Sequence, residues 1–480
     1  MITPDSPDRL YSTRLRTAVV LTGSGTAGAY HAGVLRALHE AGVRTDLVAG
    51  RGMGAVSAMF AAVDGGARLW EASGVWKGSR PASFYRWRGA LRVAGWAAVA
   101  AGVLLFFPVF LFACAILVGL AGFLLTLVGL DQAGSALTIR FTSWLAAMFT
   151  PASLPTIVPR LVLLVVLIAL GALTAGIMAE RFGKRGRRRR MRRGSDVVWR
   201  LVESPLSAAA TFEAFAAELW TLIRGAAPLQ QPRNTELGRR YVELISENLG
   251  QPGFRELLVV SHDLEARHDL VFAFLAEQHR ARFFGRMPTT AQTPRAAEAF
   301  DLAGVAREHA MDVLSASLAL PVTTEPHLVT FAPEGPWRGE THRLCDRPAA
   351  LSRVLEEVAA AGAEQVVLLS ASPRAGRPHE LQAQRADLRG SAGDQLGAFE
   401  SSGLRDVIEL FTGRFAGLYV IRPEHNPLGP LDFAGVYDER SDRRYTLAEL
   451  VDRGYEDAYR QFIDPVVGAS GERMQSVGSR

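Results

Sequence analysis

Two short glycine-rich turns hold the residues whose types and spacing bear on chemistry. The first is "TGSGTAGAYHAGVL", Thr22 to Leu35, with Gly23, Ser24, Gly25 and Gly28 ahead of an apolar-faced helix. Glycines there let the backbone approach a ligand closely, and a helix start offers free N–H groups to a phosphate or an oxyanion. The second is "DLVAGRGMGAVSA", Asp46 to Ala58. It passes from a short apolar strand through Gly50 and Gly54 into a small-residue helix, the layout of G-x-S-x-G. That layout presents a hydroxyl for attack on an acyl carbon. The presented position here is Gly52, which has no side chain.

Other chemistries fit less well. "GSGTAG" satisfies G-x-G-x-x-G, and a nucleotide-binding membrane protein is one alternative reading. A dinucleotide fingerprint expects an acid at the end of the next strand. The acid present, Asp46, lies at that strand's start. No run of His, Cys, Asp or Glu has metal-ligand spacing, so neither a metal nor a cofactor is expected. The two cysteines make a disulfide framework unexpected.

The elements that position these turns belong to a chain of 480 residues, 49% of them hydrophobic, with a formal net charge of +5. The apolar excess is local. Val93 to Leu130 is a run of 38 residues without a charge, and Leu161 to Ala179 adds 19 more. About 20 apolar residues span a bilayer, so two spans are expected, near 93–130 and 161–179. Arg86, Arg88 and Arg92 precede the first run. Nine basic residues and no acid occupy 181–193 after the second. The stretch between them, about 131–160, reads as a loop with three charges. The positive-inside rule puts that loop outside, and both flanks, with the soluble domain, in the cytoplasm. The basic block then reads as a contact for anionic lipid headgroups, and no nucleic-acid partner is expected.

Together the two turns resemble the patatin-like phospholipase family, whose turns read close to S-G-G-G-x-R-G-x-Y-x-x-G-V-L and G-T-S-x-G-A-x-x-A. Later segments are similar in the same order. They are "FRELLVVSHDLEARHDLVF" (254–272), "VLSASLALPVTTEP" (313–326), "AGAEQVVLLSAS" (361–372) and "RGYEDAYRQF" (453–462). The resemblance implies an α/β fold, a patatin-like three-layer α/β/α sandwich, here interrupted by a transmembrane helical hairpin. The expected parts are 1–85, the hairpin with its basic flank at 86–194, 195–465, and a tail at 466–480. It also implies a Ser–Asp dyad that cleaves lipid acyl esters beside a glycine-loop oxyanion site, with membrane lipids as partners.

Against that pattern Gly52 stands at the nucleophile position. Ala27 replaces the basic residue of the oxyanion loop, and Ser24 its middle glycine. The family's D-G-G is missing. "RGETHRLCDRPAAL" offers Glu340 as the dyad carboxylate and Asp346-Arg347-Pro348 as counterpart of the N-x-P that follows. Ser57 reads as a packed helix residue, a Ser24–His31 pairing as a remote option, and His262–Asp263 as a structural strand end. The expectation is a fold that persists while esterase chemistry is impaired, leaving lipid binding or scaffolding. The alternative is an active acyl hydrolase with another serine.

Overall fold

A computed structural model describes residues 11–182, 204–285, 297–332, 337, 339–374 and 387–468. Most of the basic block and most of the 466–480 tail lie outside these residues. The described chain divides into two compact units, 1–86 with 206–480, and 87–205.

The first unit is built on a nine-stranded sheet. Its strands are β1 (Thr17–Thr22), β2 (Leu47–Arg51), β3 (Glu256–Asp263), β4 (His268–Phe274), β5 (Ala297–Asp301), β6 (His327–Thr330), β7 (Thr341–Cys345), β8 (Gln365–Ser370) and β9 (Gly417–Ile421). Their order is β9-β8-β1-β2-β3-β4-β5, and β7 joins β3 and β6. The central pairings β9/β8, β8/β1, β1/β2 and β2/β3 are parallel, while β3 runs antiparallel to β4 and β7.

Parallel strands need both faces covered, and the alternation along each strand meets that need. Val19 and Leu21 of β1, Leu257 and Val259 of β3, and Val367 and Leu369 of β8 enter one apolar core. Ala18 and Val20, Leu258 and Val260, and Val366 and Leu368 enter a second. Helices α1 (Ala27–Glu40) and α2 (Met53–Ala62) cover the first face. Further along the chain come α3 (Gly89–Leu127), α4 (Asp131–Met148) and α5 (Leu154–Phe182), then α6 (Ala209–Arg224), α7 (Asn234–Asn248), α8 (Ala310–Leu318), α9 (Leu351–Ala360), α10 (Leu388–Phe411) and α11 (Leu447–Ala458). α6, α7, α8 and α11 join the first face, and α9 covers the second through Leu351, Val354, Leu355 and Val358. The result is a mixed α/β fold with a largely parallel central sheet.

α10 belongs to neither face alone. Its Leu396 enters the first core, whereas Leu404, Val407 and Phe411 enter the second. The helix therefore crosses over an end of the sheet, and Glu400 sits between its two anchorages.

The second unit holds α3, α4 and α5. α3 has 39 residues, about 58 Å at 1.5 Å per residue, with Pro108 inside it. α3 and the stretch 154–175 are long and apolar enough to cross a membrane, and almost none of either is buried. Phe106, for example, is 71% exposed. The stretch read as an external loop is in large part the 18-residue helix α4. Its sequence, "DQAGSALTIRFTSWLAAM", mixes polar and apolar residues without a strong stripe, so it carries no clear sequence signal. It packs back along α3, with the Phe112 and Phe149 ring centroids 4.9 Å apart.

Candidate functional site

The elbow keeps its shape. Gly52 caps α2 at φ 55°, ψ −136°, between β2 and the helix. A side-chain-bearing residue is strained there, and serine hydrolases hold their nucleophile in such a strained strand-to-helix turn. A Cβ built on Gly52 would lie 2.7 Å from Asp346 Oδ2 and 2.8 Å from the Gly23 carbonyl oxygen. The carboxylate of Asp346, which follows directly on β7, thus stands against the place of the missing side chain. Its own N–H donates to Ala319 O, in the segment after α8 (2.8 Å).

Glu340 is placed elsewhere. Its side chain is 69% exposed and meets His342 Nε2 at 3.4 Å. His342 is bound through Nδ1 to the buried Asp263 (2.5 Å). His262 pairs with Asp269 (2.9 Å), so His262 and Asp263 take different partners.

Around Gly52 the chain has filled the site with charge. The Arg51 side chain is 1% exposed. Its Nη1 donates to Asp346 Oδ2 (2.9 Å), and Nη2 lies 3.2 Å from Glu400 Oε1. Ser24 Oγ lies 2.7 Å from Glu400 Oε1, to which it donates, and 3.2 Å from Asp346 Oδ2. Burial works against the Arg51 charge, but Asp346 and Glu400 outweigh it and raise its pKa. Burial also pushes Glu400 up, against the opposing pull of Arg51 and the Ser24 hydroxyl. Among the described residues three buried polar atoms in this cluster have no hydrogen-bond partner: Arg51 Nε, Arg51 Nη2 and Asp346 Oδ1.

The glycine loop is engaged as well. The N–H after the nucleophile position is a usual oxyanion donor in such enzymes. Here Met53 N–H donates to Gly23 O (2.8 Å). Thr26 donates through its N–H to Pro430 O (3.0 Å) and through Oγ1 to Gly429 O (2.9 Å). Gly25 lies so close to the Pro430 carbonyl that a Cβ would run into it. Gly28 lies against Trp76 and Met53, and Gly54 against the backbone of Leu21 and Thr22. A Cβ on Gly50 would meet Gly54 at 2.6 Å. Ala27 is buried at the start of α1.

Ser24 and His31 are not brought together by any hydrogen bond in this network. His31 Nε2–H donates to Thr22 O (3.1 Å), which leaves Nδ1 to accept from the buried Ser57 at 3.4 Å. Burial lowers the His31 pKa to about 4. The Thr22 carbonyl opposes that, and the Arg51 cation adds to it.

Sequence reasoning missed Arg51, Glu400 and the closeness of Asp346 to Gly52. A second cluster was also missed. His327 Nε2 lies 2.8 Å from Asp312 Oδ1, and His309 Nδ1 lies 2.9 Å from Asp312 Oδ2. A carboxylate only accepts, so both rings donate and His327 Nδ1 accepts from Ser315 Oγ at 3.0 Å. Ser315, His327 and Asp312 thus form a hydroxyl–imidazole–carboxylate chain. Among the described residues no group of three or more His, Cys, Asp or Glu is arranged to hold a metal.

A parallel-rich α/β sheet with a strained strand-to-helix elbow is the frame of an α/β acyl hydrolase. The family model described as patatin-like phospholipase matches residues 19–110, which contain both turns. No curated protein matches. Among solved structures, VipD from Legionella pneumophila is similar at 12% identity and a TM-score of 0.26, covering 94% of this chain and 67% of its own.

Proposed function

We propose that this chain is a membrane-anchored patatin-like protein that holds lipid without hydrolysing it. The observation that carries the reading is Gly52. The elbow backbone is kept, the nucleophile has no atoms, and Asp346 lies 2.7 Å from where its Cβ would be. An acyl-enzyme needs an oxygen or sulfur on that side chain. The Met53 N–H engaged by Gly23 and the Arg51 ion pair point the same way: each group that would serve ester cleavage has an internal partner. Anchoring rests on α3 and α5, whose apolar side chains are exposed, and the flanking arginines favour a cytoplasmic soluble domain. The contact between 181–193 and anionic headgroups is part of this proposal.

The test is turnover of p-nitrophenyl acyl esters by purified full-length protein. The expected rate equals that of an unfolded control, and a rate well above it overturns the reading. Retention in the membrane pellet after alkaline carbonate extraction tests the anchor.

A second reading, an acyl hydrolase with a different serine, is favoured by the Ser315–His327–Asp312 chain. It would let His327 take the Ser315 proton during attack. Its weakness is the position of Ser315 inside α8, where backbone N–H groups are engaged in the helix and offer no oxyanion donor.

A further inference from the structure

We infer that Arg51 and Ser24 form a binding site for the carboxylate of a long-chain fatty acid, and that Glu400 occupies this site as an internal stand-in. The inference rests on the non-hydrolytic reading above and names the ligand class of that same site.

The chemistry of the recogniser comes first. A guanidinium presents a planar fork that matches a carboxylate, and a neighbouring hydroxyl adds a third donor. That set is present and almost fully buried. It already holds one carboxylate from the residue directly after β7, Asp346, and one from a crossing helix, Glu400. The fit to Glu400 is incomplete. Ser24 donates to Glu400 Oε1 at 2.7 Å and Arg51 Nη2 stands 3.2 Å from the same oxygen as an ion pair, but Arg51 Nε has no partner. Buried donors left in this state are costly, and a better-placed acceptor would relieve them.

The stand-in is out of character with its surroundings. The buried stripe of α10 runs Gly393, Leu396, Glu400, Leu404, Val407, Phe411, so the one acid sits where an apolar residue is expected. α10 is also poorly suited to a permanent cover. It carries Gly390, Gly393, Gly397 and Gly403 within 24 residues, and glycine is a weak helix former. Its two ends are anchored in different cores, so a shift of its middle need not break either.

An apolar wall lies beside this cradle. Beside the glycine loop stand buried aromatic rings. Tyr85 and Phe433 are stacked with centroids 5.6 Å apart, Phe84 meets Phe433 at 5.6 Å, and Trp76 meets Phe84 at 6.0 Å. A Cβ on Gly25 would lie 3.4 Å from Phe433, and one on Gly28 would be against Trp76, so this apolar wall adjoins the carboxylate cradle. A monocarboxylate with an apolar chain satisfies both halves. No bond is made or broken in this binding.

The test uses the full-length chain in phosphatidylcholine nanodiscs and radiolabelled hexadecanoate, with empty nanodiscs as the baseline for partitioning. Saturable binding of one hexadecanoate per chain is expected, with methyl hexadecanoate at baseline and acetate unable to compete. Glu400→Gln is expected to tighten binding about tenfold by removing the competing charge, and Ser24→Ala to weaken it about threefold. Arg51→Lys keeps the charge without the fork, and is expected to lose at least tenfold while its thermal melt remains cooperative. Equal binding of the methyl ester, competition by acetate, or an unchanged affinity in folded Glu400→Gln overturns the inference. Baseline binding in both the parent and Glu400→Gln, without ester turnover, also overturns it and leaves the non-hydrolytic reading standing. Release of hexadecanoate from the methyl ester overturns that reading instead.

Discussion

The elbow and the Ser315 cluster divide between them the parts of a serine hydrolase. The elbow has the strained turn, the strand beneath it and a carboxylate against the reactive position, but no hydroxyl at Gly52. The Ser315 cluster has hydroxyl, imidazole and carboxylate in one hydrogen-bonded chain, but it is built on an ordinary helix. The difference teaches that acyl transfer needs both sets in one place. A proton relay without an oxyanion site leaves the developing charge unsupported, and an elbow without a nucleophile has nothing to attack with.

The largest expected effect comes from breaking the buried charge cluster beside the elbow. Arg51→Met leaves Asp346 and Glu400 buried without their cation, and is expected to cost about 3–5 kcal/mol. Urea denaturation of the full-length chain in detergent reads this. Replacing Arg51, Asp346 and Glu400 together by apolar residues should recover most of the loss, because no buried charge is then left unpaired.

Next is the pH dependence set by His31. Its folded pKa, about 4, lies below the ordinary 6.5. The unfolded chain therefore binds the proton more readily. The stabilisation is complete above pH 6.5 and is lost as pH falls from 6.5 through about 4. His31 is wholly buried, so the full amount applies, up to about 3 kcal/mol. Thermal melts across this range should show that slope in the parent chain and lack it in His31→Asn. Parallel slopes in the two proteins would contradict the assignment.

Smaller again is Gly52→Ser, the change that would restore a hydroxyl to the elbow. Backbone strain and the closeness of Asp346 should cost about 2 kcal/mol. Ester turnover should stay at the unfolded-control level, since Asp346 remains tied to Arg51 and Met53 N–H to Gly23. Turnover from this single change would mean that the pair yields easily.

The smallest effect is expected at the other pole of the comparison. Ser315→Ala removes one hydroxyl from His327 and should cost about 1 kcal/mol, read by the same denaturation. If the parent chain has ester turnover that Ser315→Ala abolishes, the two clusters exchange roles in this account.

Legibility in the sequence followed local spacing. The glycine loop, β2 and the elbow could be read because their glycines fall at fixed intervals beside an apolar strand and the helices that follow. The filling of the site could not. Arg51 occupies a variable position between two glycines, so no pattern marks it. Glu400 reaches the site only because α10 crosses over the sheet, which is a property of packing between distant segments. Its one local signal was an acid in the buried stripe Leu396–Leu404. Asp346 was read as the start of the N-x-P counterpart and Glu340 as the dyad carboxylate. Without D-G-G to fix the register, an offset of six residues is invisible in sequence. β7 ends at Cys345 and leaves Asp346 against Gly52. α4 was read as loop because its apolar residues form no continuous face.

The central claim is that no serine of this chain is an activated acyl nucleophile. The direct measurement is labelling of the full-length protein in lipid with a fluorophosphonate probe, followed by peptide mapping. The account predicts no labelled serine above a heat-denatured control. A stoichiometric adduct on Ser24, Ser57, Ser315 or any other serine would contradict it and would name the nucleophile.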